Sequence, residues 1–456
     1  MDYRIEKDSM GEIKVPADKK WGAQTQRSLE NFKIGNDKMP LEIVYAIALI
    51  KKAAAETNIS VCPDKMTQKK GDLIKEACDR ILSGEFDDCF PLSVWQTGSG
   101  TQTNMNVNEV IAAVVNEKAG ESLVHPNDDV NMSQSSNDVF PSAMHIAAVK
   151  AITQKLLPSL YNLIKTFSRL EKENEKVLKI GRTHLQDAVP ISFGAEVSGW
   201  KSSLEKAREL IGSAVTPLLS LALGGTAVGT GLNAPYGFDI AACELISAYT
   251  LLPFTPMENK YHGLTSKSEL VFAHGAVKSL ALDLFKIAND IRFLASGPRC
   301  GYGEISIPQN EPGSSIMPGK INPTQCEALT QVCIEVMGND AALSFAASQG
   351  NFELNVYMPL IAHNFIRSVN LLSDAIESFD KNCASGIKAN EDKMSQNLNQ
   401  SLMLVTALNT HIGYENAAKC AKKAFDENKT LKQAALELKL LSEEEFDKIV
   451  DPKKMV

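Results

Sequence analysis

Several signatures are missing from this chain, and each absence removes a class of function. Its nine cysteines are scattered and odd in number, with no Cys-x-x-Cys pair. Neither a zinc framework nor a disulfide scaffold is written in that pattern, and reduced thiols in a cytoplasmic protein are the expectation. No apolar run approaches the roughly 18 residues of a membrane span. The start, Met1-Asp-Tyr-Arg-Ile-Glu-Lys-Asp, reads as neither a signal peptide nor an Arg-rich transit peptide. A basic surplus is also missing: 47 Lys and Arg stand against 55 Asp and Glu, a net charge of −8. That balance argues against nucleic acid or an anionic membrane as the main partner, and an anionic substrate then needs a locally positive pocket. No dinucleotide fingerprint is present. The glycine-rich run Leu223-Gly-Gly-Thr-Ala-Val-Gly-Thr-Gly231 lacks the Gly-Lys-Ser/Thr ending of a phosphate loop.

What is present is helical periodicity. Phe193, Val197, Trp200, Leu204, Ala207, Ile211 and Ala214 repeat at alternating spacings of four and three, and so do Ala273, Val277, Leu280, Leu284, Ile287, Ile291 and Leu294. Phe365 to Phe379 repeats the pattern over a shorter stretch. Val149 to Leu170 follows it loosely, with Pro158 as the expected kink. Apolar repeats of 3.5 residues over three heptads predict long helices packed nearly parallel or antiparallel, each on the order of 35 Å or more. The expected fold is therefore mainly all-α, an elongated central helix bundle of 135–388, between an N-terminal, mostly helical domain of 1–134 and a small helical C-terminal domain of 389–456. Bundles of this kind commonly complete their cores with other subunits, so a homo-oligomer is expected.

The stretch from Gly297 to Glu327 breaks the helical pattern, with five glycines and five prolines in thirty-one residues. A loop that long inside a helical protein is functional or a solvated surface excursion. Its chemistry favours function: Ser314, Ser315, Lys320, Asn322 and Glu327 bring hydroxyls, an ammonium, an amide and a carboxylate together. Gly313 and Gly319 are expected to turn backbone N–H groups toward a ligand. Two further polar clusters stand at predicted helix starts, Gln96 to Asn108 and His125 to Asp138. Ser99 and Thr101 in the first suit an anion at a helix N-terminus, or alternatively ordinary N-capping, and Ser135, Ser136 and Asn137 in the second again stand just before a predicted helix. His125 with Asp128 and Asp129 fits no helical metal-ligand spacing. His184, in Gly181-Arg-Thr-His-Leu-Gln-Asp187, is either a structural histidine or an acid/base group crowded by Arg182, Thr183 and Gln186. Hydroxyls, amides, one His and one Lys without a metal cluster suit a small polyanion and proton transfer.

Gly313-Ser-Ser-Ile-Met-Pro-Gly-Lys-Ile-Asn322 resembles the signature loop of the fumarase/aspartase superfamily. The Thr-Gly-Ser-Gly-Thr, His-Pro-Asn-Asp, Ser-Ser-Asn-Asp and Gly-Arg-Thr-His-Leu-Gln-Asp segments match it in order and spacing, so the resemblance spans nearly the whole chain. Thr183-His184 and Pro318 to Ala328 are similar to the class II, metal-independent fumarate hydratases of that superfamily. Aspartases typically have Thr-Gln at the first of these places.

The resemblance implies a homotetramer with a twenty-helix core and active sites shared by three subunits. It implies reversible hydration of fumarate to (S)-malate, a tricarboxylic acid cycle reaction, through an aci-carboxylate intermediate and without a cofactor or metal. Carried over by motif, Ser99, Gly100, Thr101, Ser135, Ser136, Asn137, Thr183, Ser315, Lys320, Ile321 and Asn322 bind substrate. Ser314 is the base, and His184 paired with Glu327 handles the hydroxyl group. His125, Pro126, Asn127 and Asp128 correspond to a second carboxylate site. The wording after Asn259-Lys260, up to Glu269, departs from the family and is more polar. Two rivals remain at this level: an aspartate ammonia-lyase on the same fold, disfavoured by His184, and a non-catalytic helical protein, disfavoured by the presence of Ser314, Lys320 and His184.

Overall fold

The computed structural model describes residues 2–456 and is mostly helical, with seventeen α-helices and four two-stranded sheets among the described residues. Two compact units emerge, Met1–Pro158 with Ala207–Ala281 and Ile334–Ser373, and Ser159–Lys206 with Leu282–Cys333 and Asp374–Val456. These ranges divide five helices, Leu157–Glu173, Phe193–Val215, Ser268–Leu294, Thr324–Ala347 and Met358–Asn382. Every residue of the three strict apolar repeats is buried. Among the described residues, no helix is long and apolar enough to cross a membrane.

The first unit is built on helices that are apolar on most of their circumference. Leu41–Val61 buries Ile43, Ile47, Ile50 and Ala54 together with Lys51, and packs on Gln68–Leu82, Ser136–Ala151 and Phe238–Thr250. A helix that is hydrophobic nearly all round belongs inside a layer of others. The Thr101–Ala119 helix lies against Ala23–Asn31 and Gln68–Leu82. Its Glu109 carboxylate accepts the N–H groups of Gly22, Gln24 and Thr25 at 2.9, 2.8 and 3.2 Å. An anion at that helix start satisfies donors that have no partner within the helix.

The irregularity expected at Pro158 falls one turn earlier, as a π-helical segment Ile152–Leu156 between Ser136–Ala151 and Leu157–Glu173. A proline ring collides with the carbonyl four residues before it, and a widened turn relieves that collision.

In the second unit the antiparallel hairpin Leu178–Thr183/Gln186–Ser192 packs on the Glu391–Gln400 helix and on the 3-10 turn Leu402–Leu408. Ile180 joins Leu404, Leu408, Cys420, Leu431, Ala434 and Phe446 in a small separate core. The sequence carries no clear strand signal here, because the strands are short and Gln186–Ser192 does not alternate between polar and apolar residues. Helices Ala23–Asn31, Phe238–Thr250 and Glu443–Ile449 were likewise not anticipated, although Ser442 and Glu445 form a capping box that marks the last one.

Candidate active site

The residues singled out from the sequence divide between the two units. In the first, Ser99 is buried at the start of Thr101–Ala119, and its hydroxyl lies 2.8 Å from that of Thr101. Gly100 between them is left-handed, at φ +72°, and a Cβ there would meet the buried Phe140 ring at 2.2 Å. Only glycine fits both the angle and the space. Gln96 braces the turn, its Oε1 accepting from Thr103 N at 3.1 Å and Thr103 Oγ1 at 2.8 Å.

Ser135 is the N-cap of Ser136–Ala151. Its Oγ accepts from Asn137 N at 3.2 Å, while Asp138 Oδ1 accepts from Ser135 N at 2.9 Å. Ser135 and Asp138 thus form a capping box. Ser136 Oγ instead accepts from Asn104 Nδ2 at 3.0 Å, and Asn137 Nδ2 donates to Ala227 O at 2.8 Å.

Two buried groups that the sequence did not disclose support this helix start. Asp138 is completely buried, and its Oδ2 accepts from Gly224 N at 3.0 Å and Thr226 N at 2.9 Å, which ties the glycine-rich run to Ser135. Burial pushes its carboxyl up to about 6, with the backbone N–H donors and Lys51 pulling the other way. Lys51, also fully buried, donates to Asn131 Oδ1 at 2.7 Å, and Asn104 and Asn108 donate to the same oxygen at 3.2 and 3.3 Å. Burial drives its ammonium down to about 7, against the nearby charge of Asp138. The Asp at the third helical position of a Ser-capped helix was a legible signal for the first of these. A lysine within an Ala/Ile run offered none.

His125 is exposed, and its Nδ1 faces Asn127 N and Asp128 N, each at 3.3 Å, at the start of the turn Pro126–Val130. Asp129, not Asp128, is the anchored acid, bound by His125 N at 2.7 Å and Lys70 Nζ at 2.7 Å.

In the second unit, Ser314 Oγ accepts from Ile316 N at 3.3 Å and Met317 N at 3.2 Å. The Gly313 N–H is not turned toward a ligand as expected. It donates to Lys320 O at 2.9 Å, and Asn322 Nδ2 donates to Gly313 O at 2.7 Å, so the loop is closed on itself. Lys320 Nζ donates to Asn322 Oδ1 at 2.9 Å. Ser315, Lys320 and Ile321 are exposed.

Thr183 and His184 are exposed at the tip of the hairpin, where Thr183 pairs with Gln186 and the two turn residues, His184 and Leu185, have φ of +57° and +60°. Tight hairpin turns demand such angles, but Asn and Gly are the residues that adopt them readily. Glu327, in the first turn of Thr324–Ala347, has its side chain 43% exposed, with Arg292 at 4.0 Å. Among the described residues, no hydrogen bond or ion pair within the chain joins it to His184.

A family profile described as Lyase matches residues 11–338, and one described as Fumarase C C-terminus matches residues 404–456. Fumarate hydratase class II of Oceanobacillus iheyensis is 59% identical over 459 residues, with 100% of this chain and 99% of the relative covered. The chain belongs to the class II fumarate hydratase family. The class II fumarate hydratase of Helicobacter pylori strain 26695 is 58% identical over 461 residues with the same coverage. A crystal structure of class II fumarase from Schistosoma mansoni superposes with a TM-score of 0.97 at 45% identity, covering 100% of this chain and 99% of that one.

Proposed function

We propose that this chain catalyses the reversible hydration of fumarate to (S)-malate, in the cytoplasm, as a homotetramer whose active sites are shared between subunits. The observation that carries the reading is full-length identity of 59% to a class II fumarate hydratase together with every signature residue in place. Ser99, Gly100, Thr101, Ser135, Ser136 and Asn137 hold the dicarboxylate, together with Thr183, Ser315, Lys320, Ile321 and Asn322. His125 to Asp128 form a second, non-catalytic carboxylate site.

In the dehydration direction Ser314 takes the C3 proton of malate. The electron pair left on carbon spreads into the adjacent carboxylate, which then carries two negative charges as an aci-carboxylate. Its collapse forms the double bond and expels the C2 hydroxyl, which leaves as water on accepting a proton from His184. In hydration the same groups act in reverse, His184 drawing a proton from water as it adds at C2.

A serine serves as base only if its alkoxide is stabilised, and the two N–H groups at 3.2 and 3.3 Å from Ser314 Oγ support that role. Preorganised donors such as Lys320 and Asn322 are what a doubly charged carboxylate requires. His184 and Leu185 keep left-handed angles in a turn that glycine or asparagine would form with less strain, which supports a functional demand at that tip. The exposure of His184 and Glu327 supports their pairing with groups of neighbouring subunits. So do the exposed Leu210, Leu282, Phe293, Ile334 and Phe345 on the long helices, which offer apolar surface for a shared core.

Fumarate absorbance followed with purified protein, with chelator present and with or without ammonium, tests the reading. Decay that yields malate and ignores both additions is expected. Decay only with ammonium would assign an ammonia-lyase instead, and no decay from a folded oligomer would leave a structural protein. Ser314→Ala should lower turnover about 100-fold or more with an unchanged thermal melt, and near-normal turnover in that variant removes Ser314 as the base.

A further inference from the structure

The second unit contains a buried cluster of charge that the reaction as written does not use. Glu304 is completely buried, in the connection that runs from the Ser268–Leu294 helix to the Ser314 loop. Its carboxylate takes a two-pronged contact from Arg182, Nη1 to Oε2 at 3.0 Å and Nη2 to Oε1 at 2.6 Å. Lys179 Nζ, itself 1% exposed, lies 3.2 Å from Oε2, and Asn397 Nδ2 donates to Oε1 at 3.1 Å. Lys179 is also 3.1 Å from Glu196, so two cations face two carboxylates. The Arg182 guanidinium rests on the Tyr302 ring, 4.5 Å from its centroid. Burial alone would raise the Glu304 carboxyl, but the Arg182 hydrogen bonds and the Lys179 charge outweigh it and hold the group below its ordinary value.

A buried ion cluster is a poor device for stability alone, since apolar residues of the same volume usually do as well. It is a good device for orientation, because a forked guanidinium–carboxylate contact fixes direction as well as distance. Here the fork joins two particular segments. Arg182 is the residue before Thr183-His184, and Glu304 stands ten residues before Ser314 on the segment that leads into that loop.

We propose that Glu304 is a positioning residue: through the Arg182 fork it sets the hairpin tip bearing Thr183 and His184 against the root of the Ser314 loop. The inference rests on the hydratase reading of this site. Glu304 touches no reacting atom, and six of the proposed substrate-binding positions, Ser99 to Thr101 and Ser135 to Asn137, lie outside its reach, so the proton transfers of Ser314 and His184 should lose more than binding does.

The test compares wild type, Arg182→Lys, Glu304→Asp and Glu304→Gln as full-length oligomers in the fumarate assay, with thermal melts and oligomer size recorded. Arg182→Lys keeps the cation beside Glu304 and should keep the fold, but it cannot form the fork. Misplacement of catalytic groups by an ångström lowers rates by about 100-fold. Accordingly, kcat is expected to fall about 10-fold in Arg182→Lys and about 100-fold in Glu304→Gln, with KM within about threefold of wild type, and Glu304→Asp should recover part of the loss over Gln. Wild-type kcat in Arg182→Lys overturns the proposal, as does a loss in every variant that merely tracks a lowered melt or a broken oligomer. An inactive wild type is a different failure, that of the hydratase reading itself.

Discussion

The polar groups at the two helix starts of the first unit and those of the Ser314 loop and His184 hairpin in the second are organised in opposite ways. Ser135, Ser136 and Asn137 are each engaged by a neighbour inside the chain, and the buried Asp138, Asn104 and Lys51 stand behind them with the half-buried Asn131. Ser314, Ser315, Lys320 and His184 stand on a self-closed loop and a hairpin tip, with Ser315, Lys320 and His184 exposed. A binding surface that must be ready before substrate arrives is best held by the core. The groups proposed here to act on protons, Ser314 and His184, lie instead on a loop and a hairpin tip that the core does not enclose. Glu304 and Arg182 fit the same scheme, because an outward-facing tip still needs a rigid root.

The comparison breaks most easily at two glycines of like conformation. Gly100 and Gly319 have φ of +72° and +83°, so alanine is strained at both, but a Cβ at Gly100 meets Phe140 at 2.2 Å whereas at Gly319 nothing lies within 4 Å. Left-handed strain alone costs about 1–2 kcal/mol. Overpacking against a ring that cannot move adds about 1–3 kcal/mol. Gly100→Ala should therefore lose about 3 kcal/mol or more in chemical denaturation, and Gly319→Ala only the strain. Equal losses in the two variants would mean that the first site is no more rigid than the second.

Asp138→Asn sharpens the contrast through kinetics. The carboxylate accepts three backbone N–H groups, from Ser135, Gly224 and Thr226, and an amide in its place turns one oxygen into a donor facing another donor. A buried group left unsatisfied costs about 1–3 kcal/mol. Because the loosened elements are those expected to bind substrate, KM for fumarate should rise about tenfold with kcat within about threefold, the opposite split from Glu304→Gln. A fall in kcat at constant KM would place Asp138 with the chemistry rather than with binding.

How much of this was legible depended on the kind of signal. The apolar repeats from Phe193, Ala273 and Phe365 named buried positions correctly because a single physical rule, one face toward the core, governs them. The hydroxyls and amides of the proposed site stand out because they occur in dense polar runs, and the resemblance implies their roles. What supports them was not legible. Glu304 and Arg182 are 122 residues apart in sequence, and Lys51 and Asn131 are 80 apart, so no local pattern couples them. Buried charges in particular look like surface residues until the partner across the fold is known. The His184 hairpin was missed for a related reason: its strands are stabilised by packing on a helix more than two hundred residues later, not by alternation.

The buried acids of the two regions should also answer acid differently, the smallest of the effects expected here. The Asp138 pKa is raised from 3.8 to about 6, so in the folded protein its ionisation carries a penalty that is absent below 3.8, grows to about pH 6 and is constant above. The Glu304 pKa is lowered from 4.5, so its stabilising contribution is present above 4.5 and is lost as pH falls through the folded value. Between about pH 6 and pH 4.5, acidification therefore relieves Asp138 while the Glu304 cluster stays intact. Hydrogen exchange, corrected for the intrinsic pH dependence of the rate, should show the Gly224 and Thr226 amides gaining protection over that window while Arg182 and Glu304 hold theirs. Asp138→Asn should abolish the gain. Protection lost together at both places would mean that a single global opening, not two separately built supports, governs the response of this fold to acid.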